Sequence, residues 1–363
     1  MNHRDIALSA FPIGEIYKSI PFGNGHINTT QRVTTSTGVY ILQELNTYVF
    51  PKPEELMENL LKVTEHIRKK AADEGVSPER AGHKVILTRD GKPYIWVGDA
   101  FYRLLRMVPS SVAINHPESP RDLFEAGKCF GRFARYMADF PAQDLYETIP
   151  DFHNTKKRFA ALYRAIEEDS EGRRAKCRKE IDEALLWEKE AESILCSMEA
   201  GEVPLRVTHN DTKLNNALFD EITREGLCVI DLDTVMPGSL LYDYGEGVRT
   251  GITNADEDEE REEKITLSMA YYEAFTAGFL SEIREVLTAK EWELLPIAPR
   301  IMTVENAIRF LTDYLEGDRY FHIDDDAQNL RRCRMHLCLA KKMKEQEEEM
   351  RSIISALKKG GKE

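Results

Sequence analysis

Apolar and polar positions alternate through residues 17–35, on either side of a glycine-bearing turn, Gly23-Asn24-Gly25-His26. Alternation sends successive side chains to opposite faces, so this stretch predicts a β-hairpin. VYILQEL at 39–45 predicts a third strand. The period then changes. Leu56, Leu60, Val63 and Ile67 recur at helical spacing within 53–70, and Pro53 suits the first turn of a helix. Residues 85–87 and 94–96 predict two short strands separated by the turn Asp90-Gly91, and FYRLLRMV at 101–108 predicts a last strand running into a connector.

The remainder reads mainly as helix. Ser119-Pro120-Arg121-Asp122 combines a cap residue, a proline at the first helical position and an acid at the third, opening a helix through Phe140. Helical patterns follow over 152–168 and 173–199, and after Asp233 over about 261–281, 288–295, 301–316 and 327–358. The second of these later helices opens on a capping box, Thr288 with Glu291. The acidic run 256–263 lacks the glycine and alternating spacing of a Ca²⁺ loop, and predicts the solvated first turn of a helix. No repeat of fixed period is visible, and the charged segment 341–359 predicts an exposed final helix with a frayed end.

A chain of 363 residues with 42% hydrophobic positions can bury a sizeable core. Its formal charge of −14 disfavours nucleic acid and anionic membrane as partners. The opening MNHRDIALSAFPIGEIY is interrupted by charge and proline, unlike a secretory signal, and no apolar run is long enough to span a bilayer. The six cysteines contain no C-x-x-C pair, so Cys333 and Cys338 read as ordinary thiols and the expected location is a reducing cytoplasm.

The chemistry lies in VTHNDTKLNNALFDEITREGLCVIDLD, 207–233. His209, Asp211 and Asn216 stand as H-x-D-x-x-x-x-N, the spacing of a kinase catalytic loop, and Asp231 follows an apolar run that predicts a buried strand. Phosphoryl transfer from ATP needs a carboxylate at the attacking hydroxyl and oxygen ligands for Mg²⁺. Asp211 suits the first need. Asn216 and Asp231 suit the second, because Mg²⁺ takes hard oxygen ligands and keeps part of its water shell. The strand–turn–strand–strand–helix–strand–strand order of the first lobe is that of a kinase N-terminal lobe. This gives an expected α+β, bilobal protein-kinase-like fold, with a nucleotide-binding lobe and hinge at 1–108 and a helical lobe at 109–363. Gly23, Asn24 and Gly25 would then bring backbone amides to the phosphates, and the connector, including Met107 and Val108, would offer backbone groups to adenine.

The catalytic segment together with IDLDTVMPGS resembles the aminoglycoside phosphotransferase and choline kinase superfamily. More narrowly, GNGHINTT (23–30), YILQELN (40–46), LRVTHNDTKLNN (205–216) and RFLTDYLEGDRYF (309–321) are similar to the N-acetylhexosamine 1-kinases. They are spread over both lobes. The resemblance implies ATP- and Mg²⁺-dependent phosphorylation of the anomeric hydroxyl of N-acetylglucosamine or N-acetylgalactosamine. It implies Asp211 as the base, Asn216 and Asp231 as metal ligands, His26, Arg309 and Tyr320 as sugar contacts, and His209 and Asp233 in support. No protein partner is implied. Each sugar contact also has a plain reading: Arg309 can pair with Asp313 one turn on, Tyr320 can pack in the core, and His26 can decorate a turn.

One position departs from the general kinase pattern. The third strand places Gln43 where a lysine steadies the α- and β-phosphates, although the similar kinases also carry glutamine there. Gln43 can donate to a phosphate but brings no charge; Arg32 and Lys18 are the candidate replacements. Two alternatives stand beside the sugar-kinase expectation: a kinase of the same fold acting on another sugar, an aminoglycoside or an amino alcohol, and an inactive ligand-binding protein.

Overall fold

The computed structural model describes residues 2–23 and 27–360. The N-terminal lobe is an antiparallel sheet of β1 (Ile16–Pro21), β2 (Thr29–Thr35), β3 (Gly38–Leu45), β4 (Lys84–Ile86), β5 (Ile95–Val97) and β6 (Ala100–Arg106), in spatial order β1-β2-β3-β6-β4. The short β4 and β5 pair with opposite halves of β6. Period two sorts the two faces of the sheet. Tyr40, Leu42, Tyr102 and Leu104 pack under α1 (His3–Ser9), with Leu8, Phe11 and Ile13. Ile41, Leu45, Phe101 and Leu105 face α2 (Pro53–Asp73), whose Leu56, Leu60, Val63 and Ile67 are buried as their spacing predicts. The helix α1 has too few residues for a periodic signal and was not foreseen. The last strand stops at Arg106, leaving Met107 and Val108 as connector.

The C-terminal lobe consists of α3 (Pro120–Tyr136), α4 (Thr155–Glu168), α5 (Arg178–Leu185), α6 (Glu188–Ala191), α7 (Ser193–Glu199), α8 (Leu240–Gly251), α9 (Met269–Ile283), α10 (Ala289–Leu294), α11 (Ala298–Leu315), α12 (Gln328–Glu345) and α13 (Glu347–Lys359). Short strands frame the catalytic segment: β7 (Ser111–Ala113), β8 (Arg206–Thr208), β9 (Ala217–Asp220), β10 (Gly226–Val229) and β11 (Met236–Gly238). They pair as β10-β9-β7 and β11-β8. Asp122 closes the start of α3 by accepting the backbone N–H groups of Glu118 and Ser119, and Thr288 with Glu291 form the expected box at α10.

Three expectations need correction. The periodic stretch 173–199 is not one helix: a 3₁₀ turn and three short helices bend at Leu186, Trp187 and Glu192 without leaving the right-handed region. The helix expected over 327–358 breaks at Gln346, where Glu347 turns inward to pair with the buried Arg300 at 2.8 Å. The acidic run does not open a helix. Asp258 and Glu260 approach Arg331 and Glu257 approaches Arg332, so the run docks as a loop on α12, and α9 starts only after its cap Ser268. Finally, α8 was missed altogether.

One apolar cluster runs from Ile41 and Leu45 through Leu60 and Val63 of α2 to Phe130 of α3, Phe279 of α9 and Ile354 of α13. Asn59 adds a polar tie: its Nδ2 donates to the carbonyls of Tyr146 and Val235 at 2.8 and 3.2 Å, and its Oδ1 accepts the Tyr146 N–H. Among the described residues no helix is long and apolar enough to cross a membrane.

Candidate active site

The loop between β8 and β9 is held by groups beneath it. The backbone N–H groups of His209 and Asn210 donate to the carboxylate of Asp243, on α8, at 2.8 and 2.7 Å, and the Thr212 hydroxyl donates to the Asp243 carbonyl. Burial, only partly opposed by those two donors, pushes the Asp243 carboxyl up to about 7. His209 lies fully buried, edge-on to Phe130 and Phe133. Its Nε2–H donates to the Ile230 carbonyl at 2.9 Å, which leaves Nδ1 to accept the Asp211 N–H at 3.3 Å. Burial lowers its pKa, so the neutral ring is a support for the loop.

Asp211 emerges from this frame. Its Oδ1 lies 2.9 Å from Lys213 Nζ, and its Oδ2 accepts from Asn216 Nδ2 at 2.8 Å. The negative charge of Asp211 is the main cause of a raised Lys213 pKa. Asn216 commits its amide N–H groups to Asp211, with Nδ2 also 2.9 Å from the Asp211 carbonyl, and this frees Oδ1 to face a cation. Asp231 sits in the left-handed region at φ 61°, just past β10. Its carboxylate takes no hydrogen bond or ion pair from the described residues, and the residue is exposed. Desolvation, then the negative charges of Asp233 and Asp211, raise its pKa; Arg103 and Lys213 oppose the rise. An unpaired carboxylate beside a free amide oxygen fits Mg²⁺ with water completing its shell. No group of three or more His, Cys, Asp or Glu among the described residues offers a fuller cage.

Asp233 is placed differently. It is buried and forks onto Arg103, whose Nη1 and Nη2 donate to its two oxygens at 2.5 and 2.9 Å. Both oxygens are engaged, so it orients its surroundings. Gln43 accepts from Arg103 Nε at 2.9 Å and donates to Thr30 Oγ1 at 3.2 Å. Neither Arg32 nor Lys18 hydrogen-bonds Gln43 among the described residues. Gly23 has φ +81°, a conformation that glycine alone adopts freely, while Asn24, Gly25 and His26 lie outside the described residues. At the connector, the Met107 N–H is used by the Val39 carbonyl and the Val108 carbonyl by the Ser111 hydroxyl. The Met107 carbonyl and Val108 N–H remain without partners among the described residues.

Arg309 and Tyr320 do converge. The Arg309 guanidinium lies over the rings of Phe321, Phe152 and Tyr320, at 5.4, 5.5 and 5.9 Å from their centroids. It does not pair with Asp313, which instead accepts the backbone N–H groups of Arg319, Tyr320 and Phe321 and so shapes the turn after Gly317. Tyr320 is 66% exposed, which rules out the core reading. One turn before Arg309, the fully buried Glu305 holds His153 at 2.8 Å.

Sequence reasoning missed Lys213, Asn28, Arg103, Asp243 and His153. Lys213 was legible, two residues after Asp211 within the motif. The others become neighbours only through long-range pairing.

Comparison with known proteins agrees with the fold. The solved aminoglycoside phosphotransferase of Alicyclobacillus acidocaldarius subsp. acidocaldarius has a TM-score of 0.61 at 14% identity, covering 97% of this chain and 96% of that one. Choline kinase LicA from Streptococcus pneumoniae has a TM-score of 0.53 at 13% identity, covering 91% and 94%. A spectinomycin phosphotransferase solved with ADP and spectinomycin has a TM-score of 0.54 at 11% identity, covering 90% and 92%. At such identities the likeness speaks for the bilobal α+β fold. The model of the phosphotransferase enzyme family (APH) matches residues 19–277, more than half of the chain, and the protein therefore belongs to that family.

Proposed function

We propose that this phosphotransferase is an ATP- and Mg²⁺-dependent kinase acting on the C1 hydroxyl of N-acetylglucosamine or N-acetylgalactosamine. The observation that carries the reading is the convergence of Arg309 and Tyr320, from one of the four segments similar to N-acetylhexosamine 1-kinases. A guanidinium fork can donate to ring and hydroxyl oxygens, and an exposed tyrosine can pack against a sugar face. Arg158 donates to the carbonyl of Phe152, whose ring Arg309 covers, and burial lowers its pKa. Two arginines at this end of the cleft disfavour a cationic acceptor such as an amino alcohol.

Asp211 accepts the proton of the C1 hydroxyl and directs its oxygen in line with the γ-phosphorus. The new bond joins the C1 hydroxyl oxygen to the γ-phosphorus; the bond that breaks joins the γ-phosphorus to the bridging oxygen, which leaves with ADP. Asn216 and Asp231 are the groups that would hold Mg²⁺, which neutralises phosphate charge when bound. Lys213 stands beside Asp211 with a further positive charge. Because the transition state is loose, positioning and charge contribute more than proton removal. The Met107–Val108 edge would hold adenine.

A panel of free sugars, amino alcohols and aminoglycosides with ATP tests the assignment, reading product mass and the position of phosphate. Sugar 1-phosphate from N-acetylhexosamines is the expected result. Product from choline, ethanolamine or an aminoglycoside alone would replace the acceptor, and no transfer to any compound would favour a binding protein. Arg309→Ala and Tyr320→Ala should raise the KM for sugar at saturating ATP while nucleotide affinity holds. Collapse of nucleotide affinity with sugar KM unchanged would remove both residues from the acceptor site.

A further inference from the structure

The strand position that lacks a lysine is still coupled to a cation. Gln43 and Arg103 are register partners across β3 and β6. The alternation that buries Ile41 and Leu105 toward α2 puts Gln43 and Arg103 on that same face. A guanidinium only donates, so the contact from Arg103 Nε settles the orientation of the Gln43 amide: its oxygen faces Arg103 and its NH₂ faces away. One amide N–H goes to Thr30 Oγ1, and the other has no acceptor among the described residues. Asn28, which precedes β2, donates to Asp233 Oδ2 at 2.9 Å and accepts the Asn46 N–H at 3.0 Å.

Gln43 of β3 and Asp233, two residues beyond Asp231, therefore meet at one guanidinium of β6 that is only 2% exposed, and Asn28 joins it through Asp233. A buried ion pair is weak evidence of stabilisation, because desolvating two charges offsets most of their attraction. Here it has a second consequence. Asp211, Asp231 and Asp233 would together repel a triphosphate; Arg103 cancels the Asp233 charge and polarises the Gln43 amide.

We propose that Arg103 and Gln43 together replace the missing lysine. Gln43 presents its remaining N–H to a phosphate oxygen of ATP, and Arg103, anchored by Asp233, fixes and polarises that donor from behind. Arg103 is thus a positioning residue. The proposal rests on the ATP-phosphotransferase reading and assigns its phosphate subsite.

The test compares ADP with adenosine, which lacks phosphates, by calorimetry in the presence of Mg²⁺. Arg103→Met should weaken ADP about tenfold or more, equivalent to about 1.4 kcal/mol, with adenosine affinity and acceptor KM held. Gln43→Lys alone should also bind ADP poorly, because it sets an ammonium against the guanidinium. The double variant Arg103→Met with Gln43→Lys should regain ADP affinity, one cation having replaced the other. If Arg103→Met fails to fold because Asp233 is left unpaired, Gln43→Leu keeps the ion pair and removes only the donor; it should lose ADP and retain adenosine. Unchanged ADP affinity, or equal loss of ADP and adenosine, in a folded Gln43→Leu or Arg103→Met variant overturns the assignment. Wild-type protein that binds neither compound overturns the ATP reading itself, and the subsite with it.

Discussion

Asp211 owes its position to groups that lie behind it. His209 and Asn210 hang from Asp243, and Asn216 and Lys213 take the two carboxylate oxygens. Replacing Asp211 by Asn keeps the shape and removes the base, so turnover should fall by roughly 10²–10⁴-fold with the circular dichroism spectrum unchanged. A folded variant retaining more than about a tenth of wild-type turnover would mean that another group directs the acceptor. Asp231 carries a second prediction. Its raised pKa means that it holds a proton more readily than an ordinary carboxylate, and a cation must displace that proton. The Mg²⁺ concentration for half-maximal activity should therefore rise as pH falls from about 8 to about 6. In Asp231→Ala, Mg²⁺-dependent turnover should vanish; turnover with the Mg²⁺ requirement of wild type would sink the role. At this scale the motif was fully readable for Asp211, Asn216 and Asp231, because local spacing alone sets their order. The contacts of Asp233 and Gln43 were not, because their shared partner Arg103 stands on another strand.

Among the elements, α8 best separates local signal from tertiary demand. LLYDYGEGVRTG carries three glycines, a composition that weakens any helix prediction. The structure explains two of them. A Cβ on Gly245 would stand 2.7 Å from the Ala298 carbonyl, and one on Gly247 would stand 2.3 Å from the Phe275 ring. The helix exists because α9 and α11 pack closely against it, and it then delivers Asp243 to the catalytic loop. Gly245→Val should destabilise by about 1–3 kcal/mol through overpacking. It should also lower kcat by moving Asp243. Thermal unfolding with parallel kinetics checks both, and an unaltered midpoint with full activity would show that α8 tolerates the displacement. Elements with clean periodicity, such as the strands and α2, were legible to within a few residues. The breaks at Leu186 and Gln346 were not, since periodicity continues through a bend that packing imposes.

For the whole molecule, the continuity of the apolar cluster from the sheet to α13 governs how it should unfold. Asn59, the Arg103–Asp233 pair and Asn28 join the two lobes by polar contacts as well. Loss of either lobe would expose the apolar face of the other, so chemical denaturation should give one transition. Trp96 reports on the sheet and Trp187 and Trp292 on the helical part, so fluorescence and far-ultraviolet dichroism should share a midpoint. Two separated midpoints would show that the lobes hold together independently.

The sequence by itself determined the alternating strands, the amphipathic α2, the order of the N-terminal lobe and the H-x-D-x-x-x-x-N spacing with its trailing Asp231. All of these depend on neighbours a few positions apart, where backbone geometry repeats with a known period. Only the tertiary structure decided that Arg103 reaches Gln43 and Asp233, that Asp243 supports the loop, that the acidic run docks on α12, and that Arg309 meets Tyr320 rather than Asp313. Those outcomes depend on which distant surfaces are buried together. Once buried, each charge or amide must find a partner among the side chains that packing happens to place within reach.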